Sequence, residues 1–98
     1  DEVREYLSKS GIEILESAVA KKGSELDIII SVPSAVGRLT YYCKAKNKKK
    51  SNEGDLAAAF VQGQMRKLPV IYLSRGELTK KAKEMLGAEF KGMTVKTF

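Results

Sequence analysis

Residues 26–32 constrain the fold more than any other part of the chain. They read Leu-Asp-Ile-Ile-Ile-Ser-Val, which is β-branched and almost continuously apolar, and such a run predicts a strand buried on both faces. Pro33, Ser34 and Gly37 then supply the residue types of a turn. Residues 38–46 alternate between two faces, Leu39, Tyr41, Cys43 and Ala45 on one and Arg38, Thr40, Tyr42, Lys44 and Lys46 on the other. This period of two predicts a second strand, antiparallel to the first across a short connection.

The remaining segments alternate between helical and extended patterns. We expect helices over 2–10, 53–67 and 78–86, the first closed by Gly11, the second ended by Pro69 and the third closed by Gly87; strands over 70–73 and 93–97; an irregular or short strand segment over 12–19; and a lysine-rich loop over 47–52. This order predicts an α/β fold in which helices flank a mixed sheet. We expect residues 1–98 to form a single domain, and the start at Asp1 rather than at a methionine suggests that it comes from a longer protein.

The absence of histidine limits the chemistry that the chain can perform. Zinc sites built on imidazole, Ser-His-Asp triads and Cys-His dyads are excluded. The single cysteine, Cys43, excludes an internal disulfide. Any hydrolysis must therefore use carboxylates, lysines and a divalent metal held by oxygen ligands.

The net charge of +6 favours a polyanionic partner, because lysines that neutralise phosphates release condensed counterions. We therefore predict a nucleic-acid partner, with the alternative that the lysines only keep a small domain soluble. No apolar run approaches the roughly 18 residues that span a bilayer, so we expect no membrane contact and a cytoplasmic location.

Three residues of the predicted hairpin are placed for metal-dependent phosphodiester chemistry. Such cleavage needs carboxylates that hold a divalent cation and a lysine near the attacking water. Asp27 opens the first strand, and Tyr42 and Lys44 lie two positions apart, hence on one face, in the second. The phenol of Tyr42 is a poor magnesium ligand at neutral pH, because its ordinary pKa is about 10. An equally good interpretation of Tyr42 is that it packs against a helix.

The segments Gly23-Ser24-Glu25-Leu26-Asp27-Ile28-Ile29 and Tyr41-Tyr42-Cys43-Lys44 resemble the signature of PD-(D/E)xK nucleases. The resemblance is closest to Mrr-type restriction endonucleases, and looser to archaeal Holliday-junction resolvases. Residues 70–74 and 78–84 are similar to the strand and helix that end this core, so the resemblance covers about residues 2–86. It implies a restriction-endonuclease-like fold, with Asp27 as the metal-binding aspartate and Lys44 as the catalytic lysine. Tyr42 takes the place of the second acidic or amide ligand.

This resemblance implies a Mg²⁺ or Mn²⁺ ion that needs a second carboxylate besides Asp27. Glu53 and Asp55, at the start of the predicted second helix, are the leading candidates, because some enzymes of this fold supply a migrated acid from there. Their alternative role is that of helix-start residues stabilised by the helix dipole. Glu2 or Glu5 of the first helix is a further candidate. We expect Glu25 to face away from Asp27.

Basic and amide side chains around the hairpin indicate a nucleic-acid surface. Phosphate contacts by lysines give affinity without sequence preference, whereas amides are suited to bases or sugar hydroxyls. The predicted contact residues are Lys46, Lys48, Lys49, Lys50, Lys80 and Lys81, with Lys44 and Lys83 nearby, together with Gln62 and Gln64.

The sequence thus predicts a nucleic-acid-binding domain of nuclease-like fold whose PD-(D/E)xK site is degenerate, with DNA favoured over RNA. The first alternative is an active Mg²⁺-dependent endonuclease that uses Glu53 or Asp55. The second alternative is a protein-interaction domain that has kept only the fold. A homodimer is a further expectation, since relatives often pair to cut two strands.

Overall fold

A computed structural model describes residues 2–98. Its helices and strands are α1 (Glu2–Lys9), β1 (Glu13–Lys21), β2 (Glu25–Ser34), β3 (Gly37–Lys46), β4 (Lys50–Ser51), α2 (Glu53–Arg66), β5 (Val70–Ser74), β6 (Glu77–Leu78), α3 (Lys80–Ala88) and β7 (Met93–Thr97). The predicted α/β class, a mixed sheet flanked by helices, is confirmed.

The five main strands form one mixed sheet in the order β1-β2-β3-β5-β7. β1, β2 and β3 are antiparallel, whereas β5 runs parallel to both β3 and β7. The predicted hairpin is β2 and β3, whose register pairs Ser34 with Gly37 and so leaves a two-residue turn. Gly37 has a φ of 113°, a conformation that only glycine adopts without strain.

Two apolar layers lie on opposite faces of this sheet. On one face α1 buries Val3 and Leu7 against a cluster that includes Ile28, Ile30 and Cys43. The other face carries α2 and α3, and its core consists of Tyr42, Leu56, Ala59, Val70, Tyr72, Ala82, Phe90 and Met93. Residues of even number in β2 therefore pack under α1, while residues of odd number face the side that carries α2.

Four local predictions differ from the structure. The third helix was predicted from residue 78, but Leu78 lies in β6 and α3 begins at Lys80. The segment predicted as irregular or a short strand is the nine-residue strand β1. The segment 47–52, predicted as a loop, contains β4 at Lys50–Ser51. Gly87 lies inside α3 rather than closing it, and the helix is capped by Glu89, whose backbone N–H donates to the carbonyl of Met85.

A small second sheet joins the lysine-rich segment to the start of α3. β4 pairs in parallel with β6, and the buried hydroxyl of Ser51 contacts the hydroxyl of Tyr72 at 2.7 Å. Gly76 is required here, because a Cβ at this position would lie 1.9 Å from the carbonyl oxygen of Lys49. The pairing therefore fixes the lysine-rich segment beside α3.

Between residues 2 and 98, no helix is both long enough and apolar enough to cross a membrane.

Candidate functional site

Asp27, Tyr42 and Lys44 meet on the face of the sheet that carries α2. The register of β2 and β3 places Lys44 directly opposite Asp27, and Tyr42 opposite Ile29. The hydroxyl of Tyr42 donates to Oδ1 of Asp27 at 2.6 Å, and Nζ of Lys44 donates to the same oxygen at 2.9 Å. The structure thus brings together the three residues that the sequence singled out, and it uses both donors on one carboxylate oxygen.

Asp27 and Lys44 also begin a chain of ion pairs, which we call the charge ladder. It consists, in order, of Asp27, Lys44, Glu25, Lys46, Asp55 and Lys48. Its successive N–O distances are 2.9, 3.5, 2.8, 2.8 and 2.7 Å. Three carboxylates and three ammonium groups alternate along it, so the ladder is formally neutral.

Local structure explains how Asp55 joins the ladder from α2. The side chain of Asn52 accepts a hydrogen bond from the backbone N–H of Asp55 at 3.0 Å, and Oδ2 of Asp55 accepts from the backbone N–H of Asn52 at 2.9 Å. This capping box satisfies two of the N–H groups left free at a helix start. It also holds the Asp55 carboxylate toward Lys46 and Lys48 of the hairpin.

Burial raises the pKa values of the carboxyl groups in the ladder, whereas hydrogen bonds and ion pairs lower them. The lowering is the larger effect for all three. Burial acts to raise the pKa of Asp55, but hydrogen bonds from Lys46, Lys48 and the backbone of Asn52 lower it to about 2. Burial likewise opposes the hydrogen bonds from Tyr42 and Lys44, which hold the pKa of Asp27 below its ordinary value. The hydrogen bond from Lys46 lowers the pKa of Glu25. All three acids are therefore ionised at neutral pH.

Tyr42 is both a core residue and a member of the site. Its side chain is completely buried among residues of α2, α3 and β5, so the interpretation that it packs against a helix is also correct. Burial, followed by its hydrogen bond to Asp27, raises the pKa of the phenol. The hydroxyl therefore stays protonated and donates to Asp27, whereas a carboxylate in its place would accept.

The structure adds Arg66, which the sequence had not indicated. Its guanidinium carbon lies 4.7 Å from the centre of the Tyr42 ring, and its Nη1 donates to Oε1 of Gln62 at 2.5 Å. Arg66 also lines a cavity of about 70 Å³ with Asp27, Glu16 and Ser17. No sequence pattern pairs Arg66 with Tyr42, because the contact depends on how α2 packs on the sheet.

The candidate second acids occupy different places. The expectation that Glu25 faces away from Asp27 is wrong, since Glu25 contacts Lys44 and Lys46 on the same face. Asp55 lies in the ladder, next to Lys46 rather than next to Asp27. Glu53 is half-buried in the first turn of α2. Glu2 pairs with Arg75, and Glu5 lies on the same helix, α1, which packs on the face of the sheet opposite to Asp27.

Metal-ligating side chains do not cluster in the part of the chain that the structure describes. No group of three or more Cys, Asp or Glu residues arranged to hold a metal ion occurs among residues 2–98. Lys44 bridges Asp27 and Glu25, because its ammonium group contacts a carboxylate oxygen of each. A cation already lies between these two acids.

The predicted contact residues fall into two groups. Lys46 and Lys48 are held in the ladder by Asp55, whereas Lys49, Lys50, Lys80 and Lys81 are exposed and form no side-chain ion pair with any residue from 2 to 98. These four lysines lie close to the second sheet, because β4 pairs with β6 directly before α3. We call them the free lysines. Gln64 is exposed, and Gln62 is half-buried beside Arg66.

Comparisons with known proteins bear on the fold. No protein-family model matches the chain, and no curated protein matches it. The chain is similar to the solved structure of EndoMS in its apo form, with a TM-score of 0.73 and 15% sequence identity over 99% of this chain. The similarity spans 44% of the EndoMS chain, so this chain covers less than half of that protein. The chain therefore shares its fold with this part of EndoMS.

Proposed function

We propose that this chain is a nucleic-acid-binding domain of nuclease-like fold whose PD-(D/E)xK site no longer cleaves, and that its ligand is DNA rather than RNA. The observation that carries this proposal is the pair of hydrogen bonds on Oδ1 of Asp27, one from the neutral phenol of Tyr42 and one from Lys44. The oxygen that would bind a metal ion is thus occupied by two protein donors.

A divalent cation at Asp27 would have to displace Lys44 and would gain no second ligand from Tyr42. Mg²⁺ needs oxygen ligands in near-octahedral geometry and releases its water reluctantly. The phenol is a poor ligand because burial and Asp27 keep it protonated. Both oxygens of Asp55 accept from lysines, so a migrated ligand at Asp55 would have to break two ion pairs. Asp27, with Glu53 or Asp55, therefore makes a weak site for Mg²⁺ or Mn²⁺.

The lysines also differ in how many internal ion pairs would be broken if they bound a phosphate. Lys44, Lys46 and Lys48 neutralise internal carboxylates, and moving them to a phosphate would leave Asp27, Glu25 or Asp55 without a partner. The free lysines form no side-chain ion pair with any residue from 2 to 98 that phosphate binding would break. We therefore assign the main phosphate contacts to Lys49, Lys50, Lys80 and Lys81, with Gln62 and Gln64 as polar contacts on the flank of α2.

A salt series tests the binding surface. Binding of a labelled DNA duplex is measured by fluorescence anisotropy for the parent chain and for the pair Lys49→Gln with Lys80→Gln. Each lost phosphate contact lowers the slope of log K against log salt concentration by roughly 0.9, so we expect a slope smaller by about 1.8. The control pair is Lys9→Gln with Lys91→Gln, two exposed lysines outside the second sheet, which should leave the slope unchanged.

Three results would overturn the binding proposal. The first is no binding at low salt, the second is an affinity that does not change with salt concentration, and the third is an equal decrease of the slope in the control pair. A competing RNA duplex of the same sequence decides between nucleic acids, since preferential binding of the RNA would contradict the assignment to DNA.

Cleavage is tested separately with the same duplex in Mn²⁺ and in Mg²⁺. We expect no products above those formed without protein. Cleavage that disappears in both Asp27→Ala and Lys44→Ala would contradict the degenerate site and establish Asp27 and Lys44 as catalytic residues.

One observation favours an active metal-dependent endonuclease as the second candidate. Glu25 lies on the same face as Asp27, and both contact Lys44. If Lys44 moved toward a phosphate, these carboxylates would be the nearest pair of oxygen ligands. Cleavage lost in Glu25→Gln but kept in Asp55→Asn and Glu53→Gln would support this site over the migrated acids.

A further inference from the structure

A cavity of about 380 Å³ lies at the end of the main sheet where β3, β5 and β7 end. β5 is parallel to both β3 and β7. Asn47, Arg75 and Phe98 each follow the last residue of one of these strands, and all three line the cavity. Ligands of open sheets bind outside the carboxyl ends of parallel strands, and small-molecule sites have volumes of roughly 300–1,000 Å³. The position and size of this cavity therefore suit a small ligand.

The walls of the cavity are mainly apolar. Val19 pairs with Leu26, and Leu26 pairs with Ala45, so these three side chains lie side by side on one face of the sheet. Val3 of α1 and Phe98 complete the apolar lining. This is the face that α1 covers, whereas the candidate site lies on the face that carries α2. Val19 is 63% exposed, so a ligand that covered it would remove apolar surface from water.

Internal ion pairs account for three of the four charged residues in the lining. Glu2 pairs with Arg75, and Glu25 belongs to the charge ladder, where two lysines bind it. Lys22 lies in the turn between β1 and β2, is exposed, and forms no ion pair with any residue from 2 to 98. The charge left for a ligand at this cavity is therefore a single positive one.

The lining also contains polar and aromatic groups that can orient a ligand. The hydroxyl of Ser24 forms no hydrogen bond with any residue from 2 to 98. The side-chain amide of Asn47 donates to the carbonyl of Gly23 at 3.5 Å, a long hydrogen bond. The guanidinium carbon of Arg75 lies 4.7 Å from the centre of the Phe98 ring. A guanidinium and an aromatic ring are both groups against which an aromatic ligand packs well.

We propose that this cavity binds a small aromatic molecule that carries one anionic group, a carboxylate or a phosphate. The aromatic body lies against Val19, Leu26 and Phe98, and the anionic group pairs with Lys22. The unpaired positive charge favours an anion over a neutral ligand, and the apolar lining favours an aromatic body. This site goes beyond the proposed function, since the lysines assigned to DNA lie beside the second sheet.

Three probes with the same ring system test the choice of ligand. Naphthylacetate, naphthyl phosphate and the neutral naphthylacetamide, all substituted at the same ring position, are titrated into the isotope-labelled chain and followed by heteronuclear NMR. We expect both anions to shift the backbone amides of Val19, Ser24 and Asn47. The neutral amide should bind about fivefold more weakly, which corresponds to one solvent-exposed ion pair. The tighter of the two anions identifies the head group.

Two substitutions with matched controls locate the bound probe. Lys22→Gln should weaken naphthylacetate about fivefold and leave naphthylacetamide unchanged, whereas Lys21→Gln, an exposed neighbour outside the lining, should affect neither. Val19→Glu places a carboxylate in the apolar wall and should abolish binding of both anions. Its control is Leu15→Glu, which lies on the same strand, is 49% exposed and does not line the cavity. The amide spectrum of each variant checks that it is folded.

Four results would overturn this site. They are no binding of either anion at millimolar concentration, equal affinity for the neutral amide, equal weakening by Lys21→Gln and Lys22→Gln, and binding that survives Val19→Glu. None of them bears on nucleic acid. A chain that fails to bind the DNA duplex can still bind these probes, and a chain that ignores the probes can still give the expected salt series.

Discussion

Replacing Asp55 with asparagine is the sharpest test of the charge ladder. Asparagine has the shape of a protonated aspartic acid, and its side-chain oxygen still accepts the capping hydrogen bond from the backbone of Asn52. The change therefore removes the charge and leaves the helix cap in place. Lys46 keeps Glu25 as its single carboxylate partner, and Lys48 loses the one it has in the ladder.

The size of the effect follows from the pKa of Asp55. Its carboxyl has a pKa of about 2 in the folded chain, against an ordinary value of 3.8. Each pKa unit corresponds to about 1.4 kcal/mol, so the charge stabilises the folded state by roughly 2 kcal/mol. The side chain is only 10% exposed, so solvent screening takes away little of this. We therefore expect Asp55→Asn to lose about 2 kcal/mol at neutral pH.

The pH dependence separates this charge from other causes. Because the pKa of Asp55 is lower in the folded chain, the unfolded chain binds more protons between the two pKa values. The stabilisation is then fully present above about pH 4 and is lost as the pH falls from there toward 2. Urea unfolding of the parent chain and of Asp55→Asn, measured from neutral pH down to pH 2, should give free energies that converge.

Two outcomes would refute the reasoning. A difference that stays constant down to low pH would mean that the substitution damages the helix cap rather than the ion pairs. A difference below about 0.5 kcal/mol at neutral pH would mean that the ladder is as weak as a surface salt bridge. Glu53→Gln is the matched control, since Glu53 lies in the same helical turn and outside the ladder, and it should change stability by less than about 0.5 kcal/mol.

Three further predictions follow from the same contacts. Tyr42→Phe removes a hydrogen bond to a charged acceptor and should cost about 1.5 kcal/mol or more; the pKa of Asp27, followed by carbon NMR, should rise, and an unchanged pKa would contradict the contact. Gly76→Ala should cost more than about 2 kcal/mol in thermal unfolding, because its Cβ would lie 1.9 Å from the carbonyl oxygen of Lys49; a neutral effect would contradict this close approach. Millimolar Mg²⁺ should leave the unfolding temperature unchanged, and a rise that Asp27→Ala abolishes would reveal a metal site.

The sequence predicted most of the fold because its main elements carry regular patterns. The hairpin, α2 and the last strand were predicted close to their observed bounds, and β7 coincides with its prediction. β1 was predicted only as irregular or short for a physical reason. It is an edge strand exposed along nearly all of its length, with a bulge near each end, so burial imposes no alternation of apolar and polar residues.

The candidate site could be predicted only where one strand or one hairpin determines it. A period of two places Tyr42 and Lys44 on one face, and hairpin pairing brings Asp27 beside them. The same period places Glu25 on that face, so the contrary prediction was an error. The pairing of Asp55 with Lys46 and the contact of Arg66 with Tyr42 depend on how α2 docks onto the sheet. No spacing along the chain encodes those contacts.

The charge balance of the ladder explains what a neutral phenol at position 42 changes in this site. A carboxylate in place of Tyr42 would put a fourth acid beside three ammonium groups, and its repulsion with Asp27 would favour a divalent cation between them. The phenol removes this repulsion, because it donates a hydrogen bond to Asp27 and carries no charge. With Tyr42 the three acids are balanced by Lys44, Lys46 and Lys48 alone. We infer that the tyrosine allows the three carboxylates of the ladder to be satisfied by protein donors alone.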